Sequence, residues 1–386
     1  MIPEFSFEFP TVIEFGNGVS KNIMNAVNKE GAKKVLIVTD PNLREIGMTK
    51  AIEEILAENG IEFVVYSDIQ QNPLFSQVDA AGNLARDEGC EMVIAIGGGG
   101  PMDAGKGAGV IATNGGSIQD YMYMRGDDMK IPENKFLPTV CIPTTSGTGS
   151  EVSDCIVFTD SNANKDLMLT VDIAPDYAFV DPELTFGVPR HITQNTGLDV
   201  LGHAIEAIVA NLESQIADLF GYEAIRMVFK YLPAAVEGDK TAREYMSLAS
   251  MYAGIAESKN GCVIPHAVSC PLSVHHKVAH GLGVGLAQVA NIEFIKDEVP
   301  EKFEAIMEHL GVEYEPGKAA DKLIEMIHQL FHDIGVDERV DIGPVTEEMI
   351  KSFAVDASRQ IDIEGSPRQP VELSDLEDVF RKILVM

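Results

Sequence analysis

The sequence predicts an α/β N-terminal domain built on a parallel sheet, followed by an all-α C-terminal domain. Three observations lead there. Short apolar runs alternate with helical patterns over the first 185 residues, as expected of strands covered on both faces. Beyond about Asp181, strand patterns nearly vanish and helical periodicity takes over. At 386 residues the chain is long for one core, so two domains are expected. Asp181-Pro182-Glu183 marks the boundary, giving domains over 1–183 and 184–386.

The elements follow in order. FSFEF and TVIEFG near the start read as one or two strands. KKVLIVTD (33–40), EFVVYSD (62–68), EMVIAIGG (91–98) and FLPTVCIPT (136–144) read as the parallel strands. Between them, Leu43, Ile46, Ile52, Ile55 and Leu56 suit one face of a helix over 43–57. Val78, Ala81, Leu84 and Ala85 do the same over 78–85. In the second half, Leu198, Leu201, Ile205, Ile208 and Leu212 step by three and four residues, the mark of an amphipathic helix. Segments 301–310, 318–332 and 372–385 are helical as well.

Composition narrows the function. Sixty acidic against 29 basic side chains give a formal charge of -31, which repels nucleic acid and anionic membranes. No uncharged run approaches a membrane span. The opening residues carry Glu4 and Glu8 in place of a basic segment, so no secretory signal is expected. Cys90, Cys141, Cys155, Cys262 and Cys270 form no CxxC pair and are odd in number; a cytoplasmic location is expected.

Two glycine-rich runs follow strands. GGGGPMDAGKGAG (97–109) has the strand, glycine turn and helix start of a phosphate cradle. It departs from GxGxxG, since position 102 is methionine, and from GxxxxGK[ST]. The bland reading is a tight crossover without a ligand. PTTSGTGSE (143–151) follows the next strand and places hydroxyls on the same sheet edge. Asp40 ends the 33–40 strand. It can accept hydrogen bonds from a ribose diol and repel a 2′-phosphate, or serve as an ordinary turn aspartate before Pro41.

Histidines carry the strongest signal. His266, His275, His276 and His280 fall within fifteen residues. Asp199 and His203, four apart in a helical stretch, share one face. Three imidazoles and a carboxylate suit a divalent first-row transition metal. Taken singly, Asp199 reads as a helix cap three after Thr196, and each histidine as a satisfied core residue.

Together these residues resemble the iron-dependent, or group III, alcohol dehydrogenase family over nearly the whole chain. The family's GGGS-x-x-D segment falls on Gly97 to Asp103, with glycine in the serine position. Its PTTxGTGSE run falls on Pro143 to Glu151. Its D-x-x-x-H pair falls on Asp199 and His203, and its histidines fourteen apart on His266 and His280. VDPELT (180–185) and the closing SPRQPVELSDLEDVF also match.

The resemblance implies a dinucleotide-binding α/β domain plus helical domain, the dehydroquinate synthase-like architecture. It also implies NAD(H) and Fe2+, with Zn2+ or Mn2+ able to use the same ligands. The implied metal ligands are Asp199, His203, His266 and His280. The expected cofactor-binding set is Asp40, Asn72, Gly97, Gly98, Gly99, Gly100, Asp103, Thr144, Thr145, Thr148 and Lys165. Expected catalytic positions are Cys270, His276 and Lys277.

The family usually has a histidine where Cys270 stands, which puts the proton route in doubt. It often has an aromatic pair where His275 and His276 stand, so a more cationic pocket is expected. The expected activity is alcohol dehydrogenase or aldehyde reductase on a small-molecule alcohol or aldehyde, short and polar and, in the sharpest reading, anionic. A homodimer or higher homo-oligomer is expected, with no nucleic-acid or membrane partner. Competing classes are a polyol- or glycerol-type dehydrogenase, a dehydroquinate-synthase-like cyclase, and an idle structural relative.

Overall fold

The computed structural model describes residues 7–160 and 165–386. The chain divides into one compact unit of 8–145 and 149–187, and another that contains 146–148 and 188–386.

The first unit holds β1 (Val12–Phe15), α1 (Met24–Glu30), β2 (Lys34–Val38), α2 (Pro41–Glu45), α3 (Lys50–Glu58), β3 (Glu62–Tyr66) and α4 (Phe75–Asp87). It continues with β4 (Met92–Gly97), α5 (Gly99–Asn114), β5 (Thr139–Pro143), β6 (Cys155–Thr159), β7 (Lys165–Leu169) and β8 (Tyr177–Val180). Six strands form one sheet in the order β1-β8-β5-β4-β2-β3, and every pairing in it is parallel.

Alternation along each strand explains the apolar runs. Leu36, Val38 and Val93 pack on one face with residues of α4 and α5. Val35, Ile37, Met92, Ile94 and Ile96 pack on the other with residues of α1 and α3. Both faces are covered, so both parities of the strand are apolar.

Four differences from the sequence reading have physical causes. The expected helix over 43–57 is two helices, because Gly47 takes φ 78 between them. The expected second strand near the start is not formed over residues 7–9; Phe5 and Ser6 lie outside the described residues. The antiparallel β6–β7 hairpin and the four-residue β8 were not read as strands. β8 is short and bounded by Asp176 and Asp181, yet it sits between β1 and β5.

The second unit is built from α6 (Arg190–Val209), α7 (Gln215–Val236), α8 (Lys240–Asn260), α9 (Ile264–His275), α10 (His280–Ile295), α11 (Pro300–Leu310), α12 (Ala319–Ile334), α13 (Glu347–Ala357) and α14 (Leu373–Ile383). An isolated bridge joins Val340 and Leu384. Among the described residues, no helix is long and apolar enough to cross a membrane.

α6 departs from the amphipathic expectation. It packs against α7, α8 and α10, and its residues from Gly197 to Val209 are all buried. It ends at Val209, leaving Leu212 beyond it and exposed. Asp199 lies mid-helix, so it is not a cap. The polar residues that break the apolar pattern are turned inward as well.

α5 lies close on β4 because its inner face carries no side chain at Gly105. A Cβ there would stand 2.5 Å from the Cβ of Ala95. Gly105→Val should therefore lower the unfolding free energy by about 1–3 kcal/mol, read as a lower urea midpoint.

Candidate functional site

The helical unit gathers the metal-competent side chains. Ligand atoms of Asp199, His266 and His280 lie within 4.8 Å of one another. Asp199 Oδ1 is 3.9 Å from Nε2 of His266 and 3.9 Å from Nε2 of His280. That spacing is too long for a hydrogen bond. It suits donors on either side of an ion bound at about 2 Å. His266 Nε2 is buried and has no hydrogen-bond partner. Such an atom is destabilising unless a ligand engages it, so the residues fit a divalent metal.

The histidine rings are oriented from behind. His266 Nδ1 donates to Glu206 Oε1 at 2.9 Å. Glu206 is fully buried, and it also accepts from Val263 N at 2.9 Å and Gln288 Nε2 at 2.5 Å. Ser269 Oγ donates to the backbone oxygen of His280 at 2.7 Å. Its single proton is thereby used, so His280 Nδ1–H is the donor in their 2.9 Å contact. Each ring therefore has Nδ1 engaged from behind and Nε2 turned toward Asp199. Burial pushes His266 down, but the charge and hydrogen bond of Glu206 and the charge of Asp199 overcome it and raise the imidazole to about 9. A metal arriving there displaces a proton.

His203 is placed differently. Its ring lies beside that of His266, centroids 4.5 Å apart. Its ligand nitrogen groups with His266 and Cys262. Burial first, then the neighbouring His266, hold it well below the ordinary histidine range, so it stays neutral. It hydrogen-bonds to the backbone of Gly147.

Glu206 and Ser269 were not anticipated. Glu206 is seven residues after Asp199 and three after His203, the same helix face. Ser269 is three after His266. Those spacings were the available signal.

The expected catalytic residues stand apart from these groups. Neither metal-competent group contains Cys270 or His276. Cys270 lies one turn beyond His266 on α9, half-buried. His276 meets Phe353 edge to face, centroids 5.3 Å apart; burial and His275 push its pKa down. Lys277 is exposed, and its φ of 56 is unusual for a residue with a side chain. His275 pairs with Asp356 across 3.6 Å.

The α/β unit carries the second candidate feature. β2 leads to β3 on one side and pairs with β4 on the other, so the strand order reverses between β2 and β4. Ligands of open α/β sheets bind outside the carboxyl ends at such a reversal. Asp40 follows β2, and Gly97–Gly100 end β4 and begin α5. No side chain caps α5, which leaves its first N–H groups for an anion. A Cβ on Gly100 would meet the backbone oxygens of Gln70 and Gln71 at 3.1 Å, and one on Gly98 would meet Thr145 Oγ1 at 3.3 Å. Thr144 N donates to Gly97 O at 2.9 Å. The two glycine-rich runs are therefore adjacent, with half-buried Asn72 in the flanking loop.

Other expected cofactor residues serve the fold directly. Asp40 caps α2 by accepting from Leu43 N at 2.9 Å. Asp103 is turned inward, accepting from Ser150 Oγ at 2.5 Å and Val157 N at 3.0 Å. Lys165 is buried at the start of β7. Thr148 falls with the helical unit. Lys106, three after Asp103, is buried and donates to the carbonyls of Ser150, Ser153 and Cys155 at 3.0, 3.3 and 2.7 Å. Burial lifts Glu151 to about 7, against its own backbone hydrogen bond and Lys106.

Glu206→Gln should weaken metal binding by about 10–100-fold, measured by competition with a chromophoric chelator, while the helical content stays unchanged by circular dichroism.

Comparison with known proteins bears on all of this. The family description "Iron-containing alcohol dehydrogenase" matches residues 10–182, and "Fe-containing alcohol dehydrogenase family, C-terminal" matches residues 193–384. The chain is 32% identical over 388 residues to the NAD-dependent methanol dehydrogenase of Bacillus methanolicus, covering 98% of this chain and 100% of that one. It is 34% identical over 371 residues to the choline dehydrogenase of Bacillus subtilis, covering 94% and 91%. Among solved structures, sulfoacetaldehyde reductase from Bifidobacterium kashiwanohense in complex with NAD+ superposes with a TM-score of 0.89 at 31% identity, covering 98% of each chain. The α/β-plus-helical architecture and the oxidoreductase class are those of these relatives, and the chain belongs to the iron-containing alcohol dehydrogenase family.

Proposed function

We propose that the chain is an NAD(H)-dependent, iron(II)-assisted aldehyde reductase or alcohol dehydrogenase whose substrate is short, polar and anionic. The carrying observation is the 3.9 Å spacing of Asp199 Oδ1 from two imidazole nitrogens already oriented as ligands. In this reading Asp199, His203, His266 and His280 hold the metal. When bound, iron(II) supplies Lewis-acid polarisation of the substrate oxygen and NAD(H) supplies or accepts the hydride.

The chain's own residues orient these groups. Glu206 and Ser269 engage the Nδ1 atoms of His266 and His280 and so aim both Nε2 atoms at Asp199; metal binding displaces the His266 proton. The uncapped start of α5 and the glycine cradle receive the pyrophosphate through backbone N–H groups. Asp40 places a carboxylate beyond β2, where it accepts from a ribose diol and repels a 2′-phosphate. Its capping bond uses Oδ1, which leaves Oδ2 for the ribose. Cys270, His276 and Lys277 are proposed to face the substrate.

An anionic substrate is supported by Lys277, an exposed cation between two proposed ligand histidines in a chain of charge -31. It is supported too by the relative named for sulfoacetaldehyde, an anionic aldehyde. Relatives named for methanol and choline are just as similar, so identity alone does not select the substrate.

Two measurements test the reading. Matched neutral and anionic aldehydes should differ in kcat/KM in favour of the anion, and Lys277→Ala should remove about 1 kcal/mol of that preference, roughly fivefold. Equal or better turnover of butanal by the unmodified enzyme would overturn the anionic assignment. NADPH should be a much poorer cofactor than NADH, and Asp40→Gly should relax that preference. Loss of the cap to glycine destabilises by only a few tenths of a kcal/mol, so this variant should remain folded for kinetic assay.

A further inference from the structure

Cys262 lies in the three-residue link between α8 and α9 and is 8% exposed. Its sulfur and one nitrogen each of His203 and His266 lie within 4.8 Å of one another. The two histidines are 6% and 8% exposed. His203 Nδ1 and His266 Nε2 are both buried without a hydrogen-bond partner. The carboxylates of Glu257, Glu206, Asp362 and Asp199 all act on the thiol electrostatically, a negative field that favours a cation.

This group differs in chemistry from the neighbouring one. Asp199, His266 and His280 offer one hard oxygen and two imidazoles. His203, Cys262 and His266 offer one soft sulfur and two imidazoles. Thiolate donors select zinc and other thiophilic ions, whereas carboxylate suits harder ones.

We propose that this chain has a second, alternative metal-binding mode, in which His203, Cys262 and His266 hold a thiophilic divalent ion, zinc above all. The two modes exclude each other. Glu206 occupies His266 Nδ1, so only Nε2 is left to bind metal, and both modes need it. Ligation replaces the S–H bond of Cys262 with an S–Zn bond and the N–H bond at His266 Nε2 with an N–Zn bond; both protons leave to solvent and nothing is oxidised or reduced. Zinc held this way is drawn off Asp199 and His280. The inference shares His203 and His266 with the proposed function, but its test reads the neighbours of the ion and needs no turnover.

The experiment is X-ray absorption at the zinc edge on full-length protein, stripped with a chelator and reloaded with one equivalent of zinc. One sulfur neighbour at about 2.3 Å is expected beside nitrogen at about 2.0–2.1 Å. That sulfur should be lost in Cys262→Ala and Cys262→Ser and retained in Cys270→Ala. A zinc shell of nitrogen and oxygen alone in the unmodified protein would overturn the proposal. So would a sulfur neighbour that survives Cys262→Ala and disappears in Cys270→Ala. If the Cys262 variants do not fold, the unmodified protein and Cys270→Ala still decide the matter.

Discussion

Glu206 is the fixed point of the helical unit. It is a carboxylate with no solvent exposure, sited on the central helix. A buried charge of this kind is tolerated only when its acceptor capacity is filled. Here the filling comes from three other places in the chain: His266 on α9, Val263 just before it, and Gln288 on α10. One side chain thereby sets the approach of α9 and α10 to α6. Asp199 and His203 stand on the same face of α6, so the contact that joins the helices also aims the His266 imidazole beside them. Stability and ligand geometry are not separable at this position.

In the α/β unit the comparable constraint is closeness. Gly105 lets α5 approach β4 to a distance no side chain would allow, while Gly97, Gly98 and Gly100 at the junction leave room for Pro101, Thr145 and the carbonyls of Gln70 and Gln71. The start of α5 is thus held against the sheet edge where β2 and β4 diverge. Asp103 and Lys106, one turn apart on α5, reach into the segment 150–157 and hold it to the same helix. Asp103, expected to meet a cofactor, is engaged by Ser150 and Val157 here.

Sequence patterns revealed those features that a local period or a fixed spacing encodes. The alternating texture of the first half was legible because both faces of each strand are covered. The i,i+4 pair Asp199 and His203 was legible because a helix repeats there. What stayed hidden depended on partners distant in the chain. Glu206 looked like one acid among 60 acidic residues; its spacing from Asp199 and His203 hinted at a shared face, but its role shows in the contact with His266, sixty residues away. Cys262 carried no spacing signal. Leu212 fitted the apolar step but lies past the end of its helix. α6 itself misled because its polar face is as buried as its apolar one, a condition that periodicity reads as exposure.

Lys106 has a further consequence. Three carbonyl acceptors around one side chain require all three N–H bonds of an ammonium group. The whole residue is only 1% exposed. Reagents that acylate lysines therefore reach it only when the segment 150–155 lifts from α5. Most other lysines of the chain stand at the surface and label at once. The slow labelling rate of this single amine reports how often the interior of the α/β unit opens, a built-in gauge of local unfolding that requires no added probe.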